Sequence, residues 1–410
     1  MKILLLPAYF YPELVSDTPL DDARYKAFAD SGIDMALITP SPTRNVSDRD
    51  KKKYSAIHSE EMYNGMMKVH RFNMIDEGKN PIGRAFRYFL CFIKQYWLGI
   101  KEKNVDVIFV VSTPPIQGML AALIKRKMNC KFIYNLQDIF PDTLVGAGLA
   151  KKNGLLWKIG RKIESYTYKH ADKIIVISQD FKRNIIEKGV PNNKIEVVYN
   201  WVDQDSIHPI DDMENPLFDE FNISKDKFRI VYAGNLGHAQ NLDIVIRAAE
   251  ILRNNHQIEF LIFGKGGIED DLKKNIKEKK LENVRVLPLQ PYERVSYVYS
   301  LGNACLVSCK AGLGGSALPS KTWSILSAGR PVIASFDEGE LKEILETNNM
   351  GLFTQADNVM DFVSGIITLA TNTQKSIQMG KNGREFILSN LSKEVAVAKY
   401  VDIVKDVCKA

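Results

Sequence analysis

Short hydrophobic runs rich in β-branched residues alternate along the chain with segments in which apolar residues recur at helical spacing. This alternation is typical of parallel sheets that are covered by helices on both faces. It occurs in two successive series. The pattern predicts strands at residues 2–6, 35–39, 68–72, 107–111, 131–135, 173–177 and 195–199 in the first series, and at 229–234, 258–264, 284–289, 304–308 and 331–335 in the second.

The segments between these strands are predicted to be helical, and the chain after Asn358 is predicted to consist of helices alone. Residues 202–227 are rich in Pro, Asp and Asn with little periodicity, which is typical of a linker. We therefore predict an α/β fold class with two doubly wound Rossmann-like domains. The N-terminal domain spans residues 1–203, the C-terminal domain spans 204–390, and a final helix at 391–410 packs back on the first domain.

The length and composition are those of a globular chain with two cores. The chain has 410 residues, more than one core usually accommodates, with 45% hydrophobic and 25% charged residues. It contains no run of 18 uncharged apolar residues, so we expect no helix that spans a bilayer. The opening MKILLLPAYF is too short for the core of a signal peptide, and we expect it to form a buried strand.

The five cysteines lie mostly within apolar runs, where a thiol usually packs as a small hydrophobic group. Cys305 and Cys309 are the only close pair in the sequence, and we expect neither a metal nor a redox role for them. This cysteine pattern favours a reduced compartment.

Positive charge is concentrated in one part of the chain. The formal net charge is +6, and residues 151–183 alone hold nine Lys or Arg residues against three acids. Two segments that contain predicted helices, at 84–103 and 151–170, combine basic with aromatic residues. They either pack on the sheet with solvated charges or lie at a membrane interface. No RNA- or DNA-binding motif accompanies the charge, so nucleic acid is not an expected partner.

Glycine-rich turns follow two strands of the second series, at the carboxyl ends where open α/β sheets bind ligands. The first turn contains Gly234, Asn235 and Gly237, and the second contains Gly264 and Gly266. Glycine lets the backbone approach a phosphate, whose charge a following helix N-terminus favours. The first turn by itself is equally compatible with a plain tight turn and does not match the dinucleotide motif G-x-G-x-x-G, but two such turns on neighbouring strands favour a ligand site more than one does.

A third loop, at residues 311–321, leads into a helix predicted at 322–328. Ser320 is predicted to cap this helix and Gly329 to end it. Lys321 lies in the first turn, where a cation opposes the helix dipole. Because an anion bound at the same place would remove that conflict, Lys321 is a candidate ligand of phosphate.

The loops also carry motifs that resemble those of a known family. In order along the chain these are YFYPE at 9–13, STPP at 112–115, QDIFPDTLVGAGL at 137–149, NWVD at 200–203, AGNLGHAQ at 233–240, FGKGG at 263–267 and LPSKTWSILSAGRPVIAS at 318–335. Together they resemble the retaining GT-B glycosyltransferases of family 4, within them the bacterial capsule and O-antigen enzymes, including N-acetylfucosamine-type amino-sugar transferases. The resemblance covers nearly the whole chain, and residues 137–149 and 319–331 are its most specific signals.

The resemblance implies a GT-B fold, with two Rossmann-like domains that face a central cleft. It further implies that the C-terminal domain binds a nucleotide diphosphate-sugar, most often a UDP-sugar. Neither a cofactor nor a metal is expected, because positive side chains and helix termini neutralise the diphosphate in such enzymes. The donor-binding residues implied by the resemblance are Gly234, Asn235, Gly237, Gly264, Gly266, Ser316, Pro319, Ser320, Lys321 and Ser324.

The chain departs from the family pattern where most members carry two glutamates spaced E-x7-E. These positions are Ser316 and Ser324 here, and serine forms hydrogen bonds but supplies no carboxylate. Gln240 and Asn241 likewise replace the usual Arg and Lys after the first strand of the C-terminal domain. The replacements are compatible with divergence within a subgroup or with a catalytically silent protein.

Three acids of the N-terminal domain follow predicted strands and are the candidate catalytic residues. Glu13 comes after the first strand, and Asp138 and Asp142 come after the strand at 131–135. A carboxylate near the anomeric carbon can stabilise an oxocarbenium-like transition state or accept the proton of the acceptor. Each of these acids can instead cap the helix that follows it.

We therefore predict an enzyme that moves a sugar, by resemblance an N-acetylamino sugar, from a UDP-sugar to a lipid-linked saccharide acceptor in bacterial surface polysaccharide biosynthesis, with retention of configuration. The protein is expected in the cytoplasm, peripheral on the inner face of the plasma membrane through residues 84–103 and 151–170. Two alternatives remain open. One is a GT-B nucleotide-sugar epimerase, which needs no acceptor, and the other is a catalytically silent sugar-nucleotide-binding subunit.

Overall fold

A computed structural model of the chain describes residues 1–13, 18–44, 46–76, 81–146, 151–314 and 318–409. The chain divides into two compact units. The first comprises Met1–Tyr199 together with Ala396–Ala410, and the second comprises Asn200–Val395. Each unit is built around its own cluster of buried hydrophobic side chains.

The first unit contains an eight-stranded sheet. Its strands are β1 (Lys2–Leu5), β2 (Asp34–Pro40), β3 (Ser59–Met62), β4 (Met67–Phe72), β5 (Val107–Val111), β6 (Lys131–Leu136), β7 (Lys173–Val176) and β8 (Ile195–Val197). They lie in the order β3-β4-β2-β1-β5-β6-β7-β8. Every neighbouring pair is parallel except β3 and β4, which form an antiparallel pair at one edge.

The second unit contains a six-stranded sheet in which every pair is parallel. Its strands are β9 (Phe228–Asn235), β10 (Ile258–Lys265), β11 (Val284–Pro288), β12 (Ala304–Ser308), β13 (Val332–Phe336) and β14 (Gly351–Gln355). They lie in the order β11-β10-β9-β12-β13-β14. The order reverses direction at β9, which is the point where doubly wound sheets bind ligands.

Helices connect the strands of both sheets. The first seven are α1 (Thr18–Asp30), α2 (Asp48–Ser55), α3 (Pro81–Gly99), α4 (Gln117–Met128), α5 (Asp142–Gly146), α6 (Leu155–His170) and α7 (Gln179–Glu187). The remaining ones are α8 (Leu217–Glu220), α9 (Asp243–Ile251), α10 (Glu269–Glu278), α11 (Val295–Ser300), α12 (Lys321–Ser327), α13 (Glu340–Thr347), α14 (Val359–Thr371), α15 (Thr373–Phe386) and α16 (Lys393–Lys409).

The last helix, α16, is fixed to the first unit by buried side chains. Tyr400 is fully buried, and its hydroxyl donates to Oδ1 of Asn135 at 3.3 Å. The guanidinium carbon of Arg24, a buried residue of α1, lies 4.8 Å from the centroid of the Tyr400 ring. A cation over an aromatic face is attracted by the ring quadrupole, and more strongly when both groups are desolvated.

The prediction of two α/β units with parallel sheets is confirmed, and the structure adds elements that the hydrophobic pattern did not predict. These are β3, β14 and α2. β3 (SEEM) is polar because it lies at the sheet edge, and only Tyr54 of α2 (DRDKKKYS) is buried. Such elements bury too few apolar side chains to show a period in the sequence.

Candidate functional site

Three strand ends lie next to one another at the carboxyl edge of the second sheet. β9 ends at Asn235, β10 ends at Lys265 and β12 ends at Ser308. β9 pairs with β10 on one side and with β12 on the other. The two glycine turns and the loop that leads to Lys321 therefore begin side by side.

The two glycine turns pack so closely that side chains would not fit. Gly234 is in register with Gly264, and a Cβ atom at Gly264 would lie 2.3 Å from the carbonyl oxygen of Gly234. A Cβ atom at Gly266 would lie 2.4 Å from the carbonyl oxygen of Leu236. Gly264 and Gly266 thus allow one turn to lie against the other, which is the structural role that the sequence left open.

Hydrogen bonds join the three turns. The Leu236 amide donates to the carbonyl oxygen of Lys265 at 3.0 Å, and the Lys310 amide donates to that of Ala239 at 2.8 Å. The Ser308 hydroxyl donates to the carbonyl oxygen of Gln240 at 2.6 Å. These bonds fix the backbone positions that a ligand at this edge would meet.

The loop after β12 is held by Asp337, which directly follows β13. Its Oδ2 accepts from the amides of Gly312 and Gly314, both at 2.8 Å. Gly315–Ala317 lie outside the described residues, and Ser316, an implied donor ligand, is among them. The sequence did not point to Asp337, because its partners lie more than 20 residues earlier in the chain and become neighbours only in the folded sheet.

Lys321, the first residue of α12, reaches the turn after β9. Its Nζ lies 4.0 Å from the centroid of the Tyr232 ring. Nζ is also 3.2 Å from the position that a Cβ atom would occupy at Gly234. Tyr232 is buried, and its hydroxyl donates to the carbonyl oxygen of Asn235 at 2.7 Å. A side chain at Gly234 would therefore crowd the ammonium group.

The ammonium group of Lys321 is partly buried, and it forms no ion pair with a carboxylate of the described residues. Burial alone lowers the pKa of Lys321 to about 8, and no carboxylate of the described residues contributes to that shift. Removing a cation from water is unfavourable unless an anion or hydrogen-bond acceptors compensate it. The aromatic face of Tyr232 compensates only part of this cost. The arrangement can therefore stabilise an anion at the end of β9.

The start of α12 differs from the prediction for Ser320. Ser320 was predicted to cap the helix, but its backbone is already helical (φ −57°, ψ −29°) and its side chain forms no capping hydrogen bond. The prediction was wrong because the chain enters α12 through a tight turn, in which the carbonyl oxygen of Pro319 accepts from the Thr322 amide at 2.9 Å. Gly329 ends the helix with φ +67°, as predicted.

The other implied donor residues either lie close to Lys321 in the sequence or belong to the glycine turn after β9. Ser320 is exposed, and Ser324, one helical turn later, is partly buried. Asn235 is exposed, and a Cβ atom at Gly237 would lie 2.8 Å from Nδ2 of Asn235. Tyr232, which the sequence analysis did not single out, supplies the surface on which Lys321 rests.

A cavity of about 770 Å³ in the second unit lies away from these turns, at the amino edge of the sheet. Phe228, Asn303 and Pro331, which begin or precede strands, line it. Its arginines donate to backbone carbonyls, as Arg330 does to Ser300 at 2.7 Å and Arg384 does to Ser327 at 2.9 Å. Since it contains none of the implied donor residues, its size does not identify the site.

In the first unit, the side chain of Glu13 is buried and accepts hydrogen bonds from the backbone. It is 1% exposed, and its Oε1 accepts from the amides of Thr43 and Arg44 at 2.7 and 2.8 Å. Burial raises the pKa of Glu13, while the two amides and the nearby Arg87 oppose that rise. The carboxylate therefore ties the segment after β2 to the segment after β1.

Asp138 and Asp142 have different surroundings although both follow β6. Asp138 is exposed, and its amide donates to the buried Ser112 hydroxyl at 3.1 Å. Asp142 begins α5, and its Oδ2 accepts from Nζ of Lys188 at 2.6 Å. Lys188 also pairs with the buried Glu164 at 2.9 Å. Asp142 is thus held in a small ion-pair network, and Asp138 is the more exposed of the two residues.

Two further findings concern metals and membranes. Within the described ranges, no group of three or more His, Cys, Asp or Glu side chains is arranged to hold a metal ion. Across the same part of the chain, no helix has the length and apolar character needed to cross a membrane.

Two protein families match the chain, one for each half. The family described as "Glycosyltransferase Family 4" matches residues 25–206, and the family described as "Glycosyl transferases group 1" matches residues 214–386.

Relatives with similar sequences include "Probable glycosyltransferase WbjE" of Pseudomonas aeruginosa, 24% identical over 66% of this chain and 66% of that protein. Another is "Putative colanic acid biosynthesis glycosyl transferase WcaI" of Escherichia coli K12, 27% identical over 74% of each chain. Among solved structures, HepE (Alr3699) of Anabaena in complex with UDP superposes with a TM-score of 0.72, at 15% identity, over 99% of this chain and 100% of that chain. The fold and these matches together identify the chain as an enzyme of the glycosyltransferase class, with the GT-B fold and of the family 4 type.

Proposed function

We propose that this enzyme uses a UDP-sugar as donor and binds its diphosphate at the carboxyl edge of the second sheet. The observation that carries the proposal is the ammonium group of Lys321, which is buried beside Gly234 and has no counter-ion in the described part of the chain. A diphosphate supplies the missing negative charge, and a charge-assisted hydrogen bond to it is about twice as strong as a neutral one. The HepE structure with bound UDP supports the nucleotide, because that protein has the same fold.

In this proposal each group at the edge has a separate role. Lys321 neutralises the diphosphate as the sugar departs, which is when negative charge on the leaving group increases. The backbone of Gly234, Asn235 and Gly237 lies beside the diphosphate, since Gly234 leaves room next to Nζ. The turn at Gly264 and Gly266 lies toward the base and ribose. Pro319, Ser320 and Ser324, together with Ser316 outside the described residues, complete the donor contacts.

No metal is required in this proposal. Lys321 and the amides of the turns provide the electrostatic stabilisation that a divalent cation supplies in other phosphate sites. Donor binding should therefore be the same with EDTA and with magnesium, and an absolute requirement for magnesium would contradict this part of the proposal.

We place Asp138 at the reacting centre, as the carboxylate that stabilises positive charge on the sugar or accepts the acceptor's proton. It is the exposed member of the three candidates, whereas Glu13 is buried and Asp142 is paired with Lys188. Retention of configuration rests on the family resemblance.

The proposed acceptor is a lipid-linked saccharide, with an N-acetylamino sugar as the group transferred. The motif resemblance supports the sugar, and the relationship to WcaI, named for colanic acid biosynthesis, supports a role in bacterial surface polysaccharides such as capsule or O-antigen. The family matches favour transfer over the epimerase and the silent subunit. Such an acceptor places the enzyme in the cytoplasm at the inner face of the plasma membrane.

The first unit has a surface suited to that location. On α3, the residues Phe86, Phe89, Ile93 and Trp97 recur at helical spacing and are exposed, with Trp97 at 59%. On the opposite face, Arg87, Cys91 and Gln95 are buried. The exposed apolar stripe, with the basic residues of α6, supports peripheral membrane contact through residues 84–103 and 151–170. α3 and α6 both pack against α4.

Calorimetric titration of the purified chain with UDP, GDP, ADP, CMP, NAD and several UDP-amino sugars tests the proposal, first with EDTA and then with magnesium. We expect selective binding of UDP and of one UDP-sugar. Transfer to a lipid-linked acceptor is then measured with that donor. Binding of none of these ligands, or of NAD alone, would show that the edge of the second sheet is not a UDP-sugar site, and turnover of the donor without any acceptor would favour the epimerase.

A further inference from the structure

A cavity of about 280 Å³ in the first unit lies between the later turns of α6 and the turn that joins α7 to β8. Four cationic side chains line it, and no acidic residue does. They come from three places in the fold: Arg161 and Lys169 from α6, Lys188 from the end of α7, and Lys194 from the turn before β8. This basic cavity contains none of the predicted donor or catalytic residues.

Two of the cations form ion pairs with a buried carboxylate. Glu164 is 6% exposed, and it pairs with Arg161 and with Nζ of Lys188. Lys188 pairs in addition with Asp142 at 2.6 Å. These ion pairs hold both cations in place at the wall of the basic cavity, so little side-chain entropy remains to be lost when a ligand binds.

The other two cations have no carboxylate partner in the described part of the chain. Nζ of Lys194 donates to the carbonyl oxygens of Ala171 and Lys169, at 2.9 and 3.3 Å. The Lys169 side chain is exposed at the mouth of the basic cavity. Four cations against Glu164 and Asp142 leave two uncompensated positive charges. A phosphate group carries one to two negative charges and several strong acceptor oxygens, which matches this excess.

The surface directly before Arg161 on α6 is apolar and exposed. Leu155, Leu156 and Ile159 occupy the first turns of the helix, and Leu155 is 78% exposed. Exposed apolar side chains beside a basic site are the combination that binds a lipid interface, since the former enter the bilayer and the latter meet the headgroups. We propose that the basic cavity binds a phosphate group, carried by the headgroup of an anionic membrane lipid. This inference rests on the proposed membrane contact of the enzyme.

The test compares two double variants of the full-length chain that remove the same charge from the same helix region. K169Q/K194Q changes the basic cavity, and glutamine keeps a donor for the backbone carbonyls that Lys194 contacts. K158Q/K162Q changes two lysines of α6 that do not line it. Binding is measured by flotation with vesicles of phosphatidylcholine containing phosphatidylglycerol, with pure phosphatidylcholine as the blank and inorganic phosphate as a soluble competitor.

We expect the wild-type chain to float only with the anionic vesicles, and K169Q/K194Q to bind them about ten- to thirty-fold more weakly. K158Q/K162Q should lose clearly less affinity, because its lysines contribute only diffuse charge. Equal losses in the two variants would overturn the proposal. Binding of inorganic phosphate that K169Q/K194Q abolishes, without vesicle binding, would keep a phosphate site and overturn its assignment to lipid.

Donor binding separates this inference from the proposed enzymatic function. UDP titration should give the same affinity for the wild type and both double variants, because the mutated residues belong to the first unit and the donor site to the second. Normal UDP binding with no effect on vesicle binding would overturn the basic cavity as a lipid site and leave the proposed donor chemistry intact. Loss of UDP binding in the wild type would instead contradict the proposed function.

Discussion

At the scale of single residues, Lys321 connects the fold to the proposed chemistry. Its ammonium group rests on Tyr232 with Nζ 4.0 Å from the ring centroid, and burial lowers its pKa to about 8. A base with a depressed pKa is cationic below that pKa and neutral above it. The affinity for an anionic donor should therefore be highest below pH 8 and decrease as the pH rises through 8.

We predict that the affinity for UDP decreases about tenfold between pH 7 and pH 9, because the free protein must first regain the proton on Lys321. Calorimetric titration at several pH values measures this change. K321A is the control for ionisation of UDP itself, and its affinity for UDP should change less between pH 7 and pH 9. The same slope in K321A as in the wild type would assign the pH dependence to another group.

Glu13 illustrates how position changes the role of an acid. Because Oε1 accepts from the amides of Thr43 and Arg44, we predict that E13Q keeps both the fold and the activity, since its amide oxygen can accept the same bonds. E13A leaves two amides unsatisfied and should cost about 1–3 kcal/mol of stability. Chemical denaturation and transfer assays measure both variants. A stable E13Q without activity would show that the charge of Glu13 is needed in catalysis.

Asp138 and Asp142 provide a matched pair at the end of β6. D138N should lower kcat by about 100-fold or more without changing UDP affinity, which is the effect of removing a catalytic carboxylate. D142N removes the ion pair with Lys188 and should leave kcat within about threefold of the wild type. Transfer kinetics distinguish the two, and the reverse ranking would assign the catalytic role to Asp142.

At the scale of elements, the exposed face of α3 gives a prediction that does not depend on the active site. F89S/W97S removes two of its largest exposed apolar side chains and should retain the thermal stability of the wild type. Its binding to anionic vesicles should be about tenfold weaker or more, since burial of such side chains drives interfacial binding. M360S/I377S, at exposed positions of the second unit, is the control and should bind as the wild type does.

Elements with many buried apolar residues were predictable from the sequence, and the polar ones were not. The buried cores of β5, β6, β9 and β10 are continuous hydrophobic runs, which is typical of parallel strands covered on both faces. β3 and α2 form at the surface from mostly polar residues, and only the folded structure shows them. The wrong capping prediction for Ser320 has a similar origin, because local residue type does not determine the backbone path into α12.

In the molecule as a whole, it could be predicted from the sequence that the glycine turns lie at the carboxyl edge of the second sheet, but the contacts within that edge could not be predicted. The positions of Gly234, Gly264 and Lys321 followed from strand spacing and glycine placement. The contact of Tyr232 with Lys321 and the bonds from Asp337 to the loop after β12 could not be predicted. They depend on residues that β9, β12 and β13 bring together only in the folded sheet. In the proposed function, the second unit supplies the anion site, and the first supplies the exposed Asp138 and the apolar face of α3.

If the donor diphosphate binds beside Lys321, calorimetric titration of UDP into K321A should show a weaker complex. Loss of one charge-assisted phosphate contact should weaken binding by about 1.5–3 kcal/mol. K277A, which removes an exposed lysine from α10, is the matched control and should bind UDP as the wild type does. K321A should also retain the thermal stability of the wild type, since it removes a desolvated charge. Unchanged affinity of K321A for UDP would show that the diphosphate does not bind beside Lys321.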